Sequence, residues 1–583
     1  MTTKMNGART GATNAARRLV ARALARDLTA FVAPGLDVAR ANGLDLSAAG
    51  LRVVPTPRHA TVLLLVGEIP PGLRAATAVV YAQMARPRAI LALGTDDTPP
   101  LPAPDLAATV DQAALVAGVK ELQRIIASGA WSADAPIFDA LEAQSDEDDG
   151  GGMDHDDMDR GGNKCGMDMS GMDHDDMDMS GIDDGGNGKG DGGNGKGDGG
   201  NGKGDGGNGK GGMDMDMGDG GNGKGGMDMS GGGMSMVMMT KDLPRSPDGL
   251  PMEWVEAPVG PLFPGLPGGL ALSFTLDGDA VATATVTPGT LGRGLEATWS
   301  GPAATLPARM ARLDPLAPVS YRILAARALD DAAGVVADTT TADAYVGALE
   351  RERAASHLGW LALFAALLGD HWLEDRAAGL QLALLRVSRV AEVERLRGTV
   401  GAFARRVRRT PYLRRRLAGI GRPRADKDPS TGGARFTTGS LPRGPVARAA
   451  GLAYDARADD PVYRRLGFVP VVRDGNDAWS RLDVRLTELE QSLDLVLAVG
   501  AVDMSERLLS TERGGSGAAT VETPRGAATL RLTVAEGMAR DVVVDTPSTH
   551  NRRRVTSVAE GREMADALVG VASLDLSPWE MDR

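Results

Sequence analysis

A long stretch of low-complexity sequence divides this chain of 583 residues into two parts. From Ser145 to about residue 245 it consists mainly of glycine, aspartate, methionine, asparagine and lysine, with tandem GGNGKGD units. Such a composition cannot bury enough apolar surface to offset the entropy lost when a chain becomes ordered. We therefore expect a flexible tether at 145–245, between globular parts at 1–144 and 246–583.

The tether contains two similar histidine-bearing blocks. His155 and His174 lie among aspartates and methionines, the latter including Met153 and Met172. Thioether and imidazole groups are soft ligands that suit copper, so weak copper binding is one hypothesis. The alternative is a solvated linker whose repeats expanded by slippage, and we favour it because a loose chain offers no fixed ligand geometry.

Charge and cysteine content exclude several classes of function. The formal net charge is −13 and the sequence pI is about 5.1, which argues against a general nucleic-acid binder. Cys165 is the single cysteine of the chain. No internal disulfide can form, and no cage of thiolates can hold an iron–sulfur cluster or a structural zinc ion.

The sequence lacks membrane-targeting signals of the usual kinds. Its first residues contain no long apolar segment of the secretory type. The longest apolar run, Leu358–Gly369, is well short of the roughly 20 residues that a membrane-spanning helix requires. We expect a cytoplasmic protein, peripherally associated with the membrane through partner subunits.

Alternating apolar runs and helical patterns predict the fold of the first part. Ala60–Gly67 is a continuous apolar run that suits a buried parallel strand, and a helical pattern follows at Leu73–Met84. A second apolar run covers Ala89–Gly94, and another helix is predicted at Asp111–Ser128. Strand, helix and strand in this order predict an α/β domain of three layers at 1–144.

The second part is predicted to be mainly helical with small β units. Alternation and turn signals over Val259–Glu296 predict a small antiparallel sheet, within a segment at 246–340 that also carries the first helices. Apolar residues at spacings of three and four predict helices through much of 341–583. Arg481–Val499 is predicted as a long helix, and Arg525–Val544 as a closing hairpin.

Two segments toward the end of the chain are rich in small or structurally distinctive residues. GPVARAAGLAYDAR (Gly444–Arg457) carries two glycines around an arginine, which predicts a buried crossing where backbones approach closely. The chain ends in ASLDLSPWEMDR (Ala572–Arg583). Together with the helix ERERAASHLGWLALFAALLGDHWL, these segments resemble the D-type subunit shared by respiratory complex I and the membrane-bound NiFe hydrogenases.

The first part carries a second resemblance. PTPRHATVLLLVGEIPPGLRAATAVVYAQMARPRAILALG (Pro55–Gly94) is similar to the B-type subunit of complex I. The two resemblances together imply a fused B-type and D-type protein, with a flavodoxin-like domain, a tether and a hydrogenase-large-subunit-like domain. They also imply NADH:quinone oxidoreductase activity, with NAD and quinone binding and electron transfer.

The residues that should hold the redox groups are substituted. The B-type family binds a 4Fe–4S cluster through four cysteines, and the corresponding positions lie at Val32–Gly35, at Thr95-Asp96 and before Val110. None of these is cysteine, so we expect no cluster here. NiFe chemistry would need two Cys-x-x-Cys pairs, which the second part lacks.

The quinone site implied by the D-type resemblance is substituted as well. The family uses a histidine, a tyrosine and an aspartate to donate protons to the quinone headgroup or to hydrogen-bond it. The corresponding residues here are Phe263, Pro315 and Leu367. An apolar or ring side chain cannot donate a proton, so all three roles are empty.

Five polar residues of the D-type motifs remain. His357 is either a redox-linked proton site or, in the interpretation that we favour, a satisfied histidine at a subunit interface. Arg448, Tyr454, Asp455 and Arg457 are predicted to form a structural, hydrogen-bonded lock rather than a catalytic group.

A basic stretch follows the central helices. Its arginines predict contact with anionic lipid or an acidic partner, or else an exposed segment neutralised by the acidic tether. They are Arg405, Arg406, Arg408, Arg409, Arg414, Arg415, Arg416, Arg422 and Arg424.

Two main hypotheses for function follow. The first is an active peripheral-arm subunit of a complex I-like assembly, in which other subunits ligate any cluster. The second is a redox-inactive adaptor that docks on an antiporter-like membrane arm, and the missing ligands favour it. A copper-buffering protein is a third and weakest hypothesis, because it depends on the tether alone.

Overall fold

A five-stranded parallel sheet organises the N-terminal part of the protein. The computed structural model describes residues 19–23, 25–95, 100–128, 254–423, 441–504 and 514–582. The strand order β2-β1-β3-β4-β5 is that of flavodoxin-like doubly wound sheets. The strands are β1 (Leu28–Ala33), β2 (Leu51–Val53), β3 (Val62–Val66), β4 (Ala89–Leu93) and β5 (Leu106–Ala108).

Three helices accompany this sheet: α1 (Leu36–Ala41), α2 (Pro71–Gln83) and α3 (Gln112–Ser128). The side chains of β3 and β4 are buried along their whole length, which explains their continuous apolar sequences. Helix α3 buries a stripe at spacings of three and four: Leu115, Val119, Leu122 and Ile126. This is the pattern of a helix with one face on a core.

Two antiparallel sheets belong to the C-terminal part. One contains β6 (Val255–Val259), β7 (Leu272–Asp277) and β8 (Ala280–Val286). The other contains β9 (Gly301–Pro302), β10 (Gly515–Thr523), β11 (Gly526–Ala535) and β12 (Met538–Asp545), in the order β10-β11-β12-β9. Gly278 turns the β7–β8 hairpin with a φ of 61°, a left-handed conformation that glycine adopts without steric cost.

Helices form the rest of the C-terminal part. They begin with α4 (Glu296–Trp299), α5 (Leu306–Met310), α6 (Pro318–Ala333), α7 (Thr339–Leu368), α8 (His371–Leu385), α9 (Val390–Arg408) and α10 (Pro411–Leu417). There follow α11 (Gly444–Ala449), α12 (Pro461–Arg465), α13 (Ala478–Val499), α14 (Pro547–Asn551), α15 (Val555–Ala559), α16 (Met564–Ala572) and α17 (Pro578–Met581).

Helix α7 is the central element of this part. Asp338 caps its N-terminus by accepting a hydrogen bond from the Thr341 amide at 2.8 Å. The helix runs for 30 residues and ends at Gly369, which has a φ of 72°. It packs against α8 and α13, and it also contacts α1 of the N-terminal part.

The parallel α/β sheet and the mainly helical C-terminal part confirm the predicted fold class at this level. The predictions omitted β1, β2 and β5, and they gave the last sheet a hairpin where β10 adds a further strand. The tether and its four proposed copper ligands lie outside the described residues. None of the described helices combines the length and apolar character needed to cross a bilayer.

Candidate functional site

The site predicted for an iron–sulfur cluster maps to one edge of the parallel sheet. Val32–Gly35 lies at the carboxyl end of β1, Thr95 follows β4, and Val110 follows β5. Gly94 permits close packing there, because a Cβ on it would lie 2.3 Å from Cγ2 of Val110. Asp96 lies outside the described residues.

The residue types at this edge do not fit a 4Fe–4S cluster. Such a cluster is held by thiolates, and in some classes partly by imidazoles. The described residues of the three segments supply backbone, apolar and hydroxyl groups, and the chain's one cysteine is far away in sequence, at Cys165.

A glycine-rich loop of the C-terminal part covers the sheet edge. A Cβ on Gly268 would lie 2.1 Å from the carbonyl oxygen of Pro34, so only glycine fits this crossing. The Gly268 amide also donates to the Asp37 carboxylate at 3.3 Å. Further along the edge, the Gly72 amide donates to the carbonyl of Leu291 at 2.9 Å.

Ionic and apolar contacts extend this interface. Arg40 of α1 donates to Glu374 of α8 at 3.1 Å, with both side chains mostly buried. Leu291 and Trp579 from the C-terminal part are buried in the hydrophobic core of the N-terminal domain. The two parts therefore share a packed core and are not merely adjacent.

A cavity of about 40 Å³ lies at this interface. Its walls include Asp37 from α1, Trp360 from α7, Gln381 from α8, and Arg525 and Asp575 from the end of the chain. A buried space of this size holds about three water molecules. Pockets for organic ligands are typically several hundred Å³, so the cavity does not fit a quinone headgroup.

Several polar groups converge on the cavity. Arg525 donates to Asp575 at 3.3 Å and to Asp314 at 2.9 Å. Oδ2 of Asp575 and Oε1 of Gln381 are buried without a hydrogen-bond partner in the protein. Water molecules bound in the cavity would satisfy both oxygens, because buried water usually binds such groups. Burial raises the pKa of Asp37 to about 6, although the Gly268 amide opposes the shift.

The three substituted quinone positions lie beside this cavity. Gly265, two residues after Phe263, lines the cavity and packs on Leu367, since a Cβ on Gly265 would lie 2.9 Å from Cα of Leu367. Leu316, which also lines the cavity, directly follows Pro315. The side chains of Phe263 and Leu367 are partly buried against the main hydrophobic core. The structure thus gathers the three positions at one place, where none can donate a proton.

A cluster of buried charges lies deeper in the C-terminal part, and we call it the ionic cluster. It contains three arginines and four carboxylates, all at most 7 % exposed: Glu350, Arg353, Arg448, Asp455, Arg457, Glu488 and Glu522. Glu350 and Arg353 are contributed by α7, Arg448 by α11, Glu488 by α13 and Glu522 by β10. The cluster therefore joins segments that are far apart in sequence.

Arg448 is the centre of the ionic cluster. Its guanidinium contacts Glu488 at 2.7 Å, Glu522 at 2.8 Å and Asp455 at 2.9 Å. Arg457 pairs with Asp455 at 2.7 Å and with Glu350 at 3.3 Å. Multiple charge-assisted hydrogen bonds of this kind offset the cost of removing the charges from water.

The pKa shifts follow from this pairing. Burial would raise the pKa of Glu350, but the positive charges of Arg353 and Arg457 outweigh it and lower the pKa. Burial and the neighbouring Asp455 raise the pKa of Glu522, against the attraction of Arg448. With four carboxylates for three arginines, the raised pKa of Glu522 favours the protonation state in which the charges balance.

His357 lies next to the ionic cluster, on α7. Its Nε2 lies 3.1 Å from the Glu488 carboxylate, which can only accept, so Nε2 is the donor. Its Nδ1 has no partner in the described structure. Burial lowers the pKa of His357 to about 4, although Glu488 opposes the shift. The ring is therefore neutral at neutral pH.

The other motif residues divide between core and surface. Arg448, Asp455 and Arg457 belong to the ionic cluster, whereas the Tyr454 side chain is 55 % exposed and lies outside it. Only the Tyr454 carbonyl takes part, accepting from Arg448 at 3.4 Å. Gly444 lies at a close backbone crossing, where a Cβ would be 2.1 Å from the Arg525 carbonyl oxygen, but Gly451 is exposed.

Sequence reasoning missed most partners of these residues. Arg525 and Glu522 lie in a run that resembles the D-type family, and Asp575 lies in the C-terminal segment, so the motifs marked their region but not their contacts. Asp37 follows an unpredicted strand, and no signal in the sequence pointed to it.

Comparisons with known proteins agree with this fold and site. Residues 391–513 match the family described as "respiratory-chain NADH dehydrogenase, 49 Kd subunit". The D-type subunit of NADH-quinone oxidoreductase from Desulfotalea psychrophila is 34 % identical over 152 residues, which is 24 % of this chain and 40 % of that protein. Its counterpart from Geobacillus thermodenitrificans is 26 % identical over 361 residues, covering 56 % of this chain and 97 % of that protein.

A solved structure has the same fold over a similar share of the chain. A chain of the membrane-bound sulfane sulfur reductase, an archaeal respiratory membrane complex, superposes with a TM-score of 0.50 and 23 % identity. The match covers 57 % of this chain and 99 % of that chain. The protein belongs to the complex I family, and the family match lies in its D-type, 49 kDa-like part.

Proposed function

We propose that this protein is a peripheral-arm subunit of a complex I-like assembly that retains the docking architecture and has lost electron transfer to quinone. In this proposal the N-terminal domain takes the place of a B-type subunit. Its carboxyl sheet edge packs on the D-type part through Gly268, Leu291 and the Arg40–Glu374 pair. The tether keeps the two partners at high effective concentration.

The observation that carries the proposal is the size and lining of the interdomain cavity. A space of about 40 Å³ flanked by Phe263, Pro315 and Leu367 has neither the volume nor the proton donors for quinone reduction. The sheet edge offers no thiolate to hold a cluster beside it. The contacts around the cavity, in contrast, are closely packed and well paired, which fits a structural role.

We infer that the protein acts as a redox-inactive adaptor on the cytoplasmic side of an antiporter-like membrane arm. The relatives are named as subunits of quinone oxidoreductases and of a respiratory membrane complex, which supports assembly with such partners. Coupling or gating of ion movement would then be mechanical. It would pass through rigid contacts such as the ionic cluster.

Photoaffinity labelling in native membranes tests the loss of quinone binding. Membranes containing the tagged protein are labelled with a photoreactive short-chain quinone, with and without excess unlabelled quinone, and the tagged peptides are mapped by mass spectrometry. We expect no protectable labelling of residues 260–269, 311–321 or 360–370. Protectable labelling in any of these segments would restore the active-subunit hypothesis.

A further inference from the structure

The exposed arginines at the end of α9 and on α10 form a surface that the proposed function does not use. We call this surface the arginine ridge, and it comprises Arg405, Arg406, Arg409, Arg414, Arg415 and Arg416. All six side chains are exposed, and none forms a salt bridge with a carboxylate within the described part of the chain. Arg408 differs, because Asp483 and Glu490 neutralise it at 2.8 and 2.7 Å.

Aromatic rings accompany the ridge. Trp372 of α8 is 44 % exposed, and the Arg406 guanidinium lies 4.2 Å from its ring centroid. Tyr412 is 63 % exposed and its hydroxyl accepts a hydrogen bond from Arg416 at 3.2 Å. Tryptophan and tyrosine favour the boundary between lipid and water, because each has an apolar body and a polar tip.

The shape of the ridge favours a planar partner over a peptide. Only Leu413 and Leu417 of the seven residues of α10 are buried, so the helix rests on one apolar edge and presents the others outward. Peptides are generally recognised in grooves or along open sheet edges, which hold them in register. A ridge has no such walls, whereas a bilayer needs none.

We propose that the arginine ridge binds an anionic phospholipid surface. Guanidinium groups pair with lipid phosphates, and their aliphatic stems can lie along the acyl boundary beside Trp372 and Tyr412. The rest of the chain is acidic, with a net charge of −13, so repulsion elsewhere would orient the protein with the ridge toward the membrane. This inference does not depend on whether the protein transfers electrons.

Vesicle binding by the full-length protein tests the proposal. We expect sedimentation with phosphatidylglycerol vesicles and not with phosphatidylcholine vesicles, and loss of binding at a salt concentration of about 0.5 M. The triple variant Arg414→Gln, Arg415→Gln, Arg416→Gln should bind about 100-fold more weakly, since each basic residue near such a surface contributes about fivefold. Glutamine has a helix propensity close to that of arginine, so α10 should persist.

A matched variant controls for net charge. Arg52→Gln, Arg124→Gln, Arg464→Gln removes three exposed arginines elsewhere, whose side chains are 59, 70 and 63 % exposed. We expect its binding to stay within about threefold of the parent. An equal loss in both triple variants would overturn the proposal, because it would show that total charge matters and the ridge does not.

A local probe separates membrane contact from other binding. Phosphatidylglycerol with brominated acyl chains should quench tryptophan emission of the parent protein, and Trp372→Phe should remove much of that quenching. Absence of vesicle binding, or quenching unchanged in Trp372→Phe, contradicts the proposal. Binding to poly-glutamate without binding to vesicles would also overturn it and would identify an acidic polypeptide as the partner.

Discussion

Arg448 shows how much a single buried residue can hold together. Its guanidinium satisfies three carboxylates from three separate segments, within 2.7–2.9 Å. Replacing it with methionine would leave those carboxylates buried without their main partner. We predict that Arg448→Met lowers the free energy of unfolding by about 3–5 kcal/mol, measured by urea denaturation.

The control for this prediction is an exposed arginine. Arg464 pairs with Asp459 at 3.2 Å, but the two side chains are 63 and 82 % exposed. Arg464→Met should change stability by less than about 1 kcal/mol. Equal effects of the two substitutions would show that the ionic cluster does not stabilise the fold.

Gly444 tests the close backbone crossing. Its φ is 61°, and a Cβ would lie 2.1 Å from the Arg525 carbonyl oxygen. Gly467 has a similar φ of 70° but open space around it. Gly467→Ala should cost about 1 kcal/mol for the left-handed conformation alone. Gly444→Ala should cost at least about 2 kcal/mol more, because backbone must move. Similar costs in thermal unfolding would contradict the crossing.

At the scale of elements, α1 and α8 are joined across the domain interface by Arg40 and Glu374. Both side chains are mostly buried, at 12 and 17 % exposure. We predict that Arg40→Glu and Glu374→Arg each destabilise the protein by about 1–2 kcal/mol, and that the double reversal recovers most of the loss. Urea unfolding of the four proteins measures the coupling.

The pair Asp27–Arg52 is the control for this cycle. Its side chains are 67 and 59 % exposed, so the same reversals should couple by less than about 0.5 kcal/mol. If the interface pair couples no more strongly than this surface pair, the contact between α1 and α8 contributes little to docking.

Sequence patterns predicted the long elements better than the short ones. Strands β3 and β4 and helix α3 are recognisable because each buries a continuous run or a regular stripe. Strands β2 and β5 have only three residues each, too few for a period to be seen. The composition of the ionic cluster could not be predicted, because its members come from segments that meet only in the folded protein.

At the scale of the whole molecule, docking of the two parts buries Asp37. Its pKa is raised to about 6 from 3.8, mainly by burial, so the folded protein favours the protonated form. The resulting stability is complete below pH about 4 and is lost as the pH rises through 6. We predict that Asp37→Asn is more stable than the parent at pH 8, by up to about 3 kcal/mol, with little difference at pH 4.

Urea midpoints at pH 4, 6 and 8 measure this effect. Asp474→Asn makes the same charge change at a position outside the interface and should shift stability by less than about 0.5 kcal/mol at each pH. A pH-independent difference between Asp37→Asn and the parent would mean that Asp37 does not titrate at the interface.

The central claim is that the docking architecture has outlasted the redox site. Iron and acid-labile sulfide analysis of the anaerobically purified protein, combined with EPR spectroscopy, tests it most directly. We predict far less than one iron per chain, no acid-labile sulfide and no reducible signal, because the sheet edge has no thiolate ligands. Stoichiometric iron and sulfide with a reducible EPR signal would contradict the account and would require ligands from another subunit.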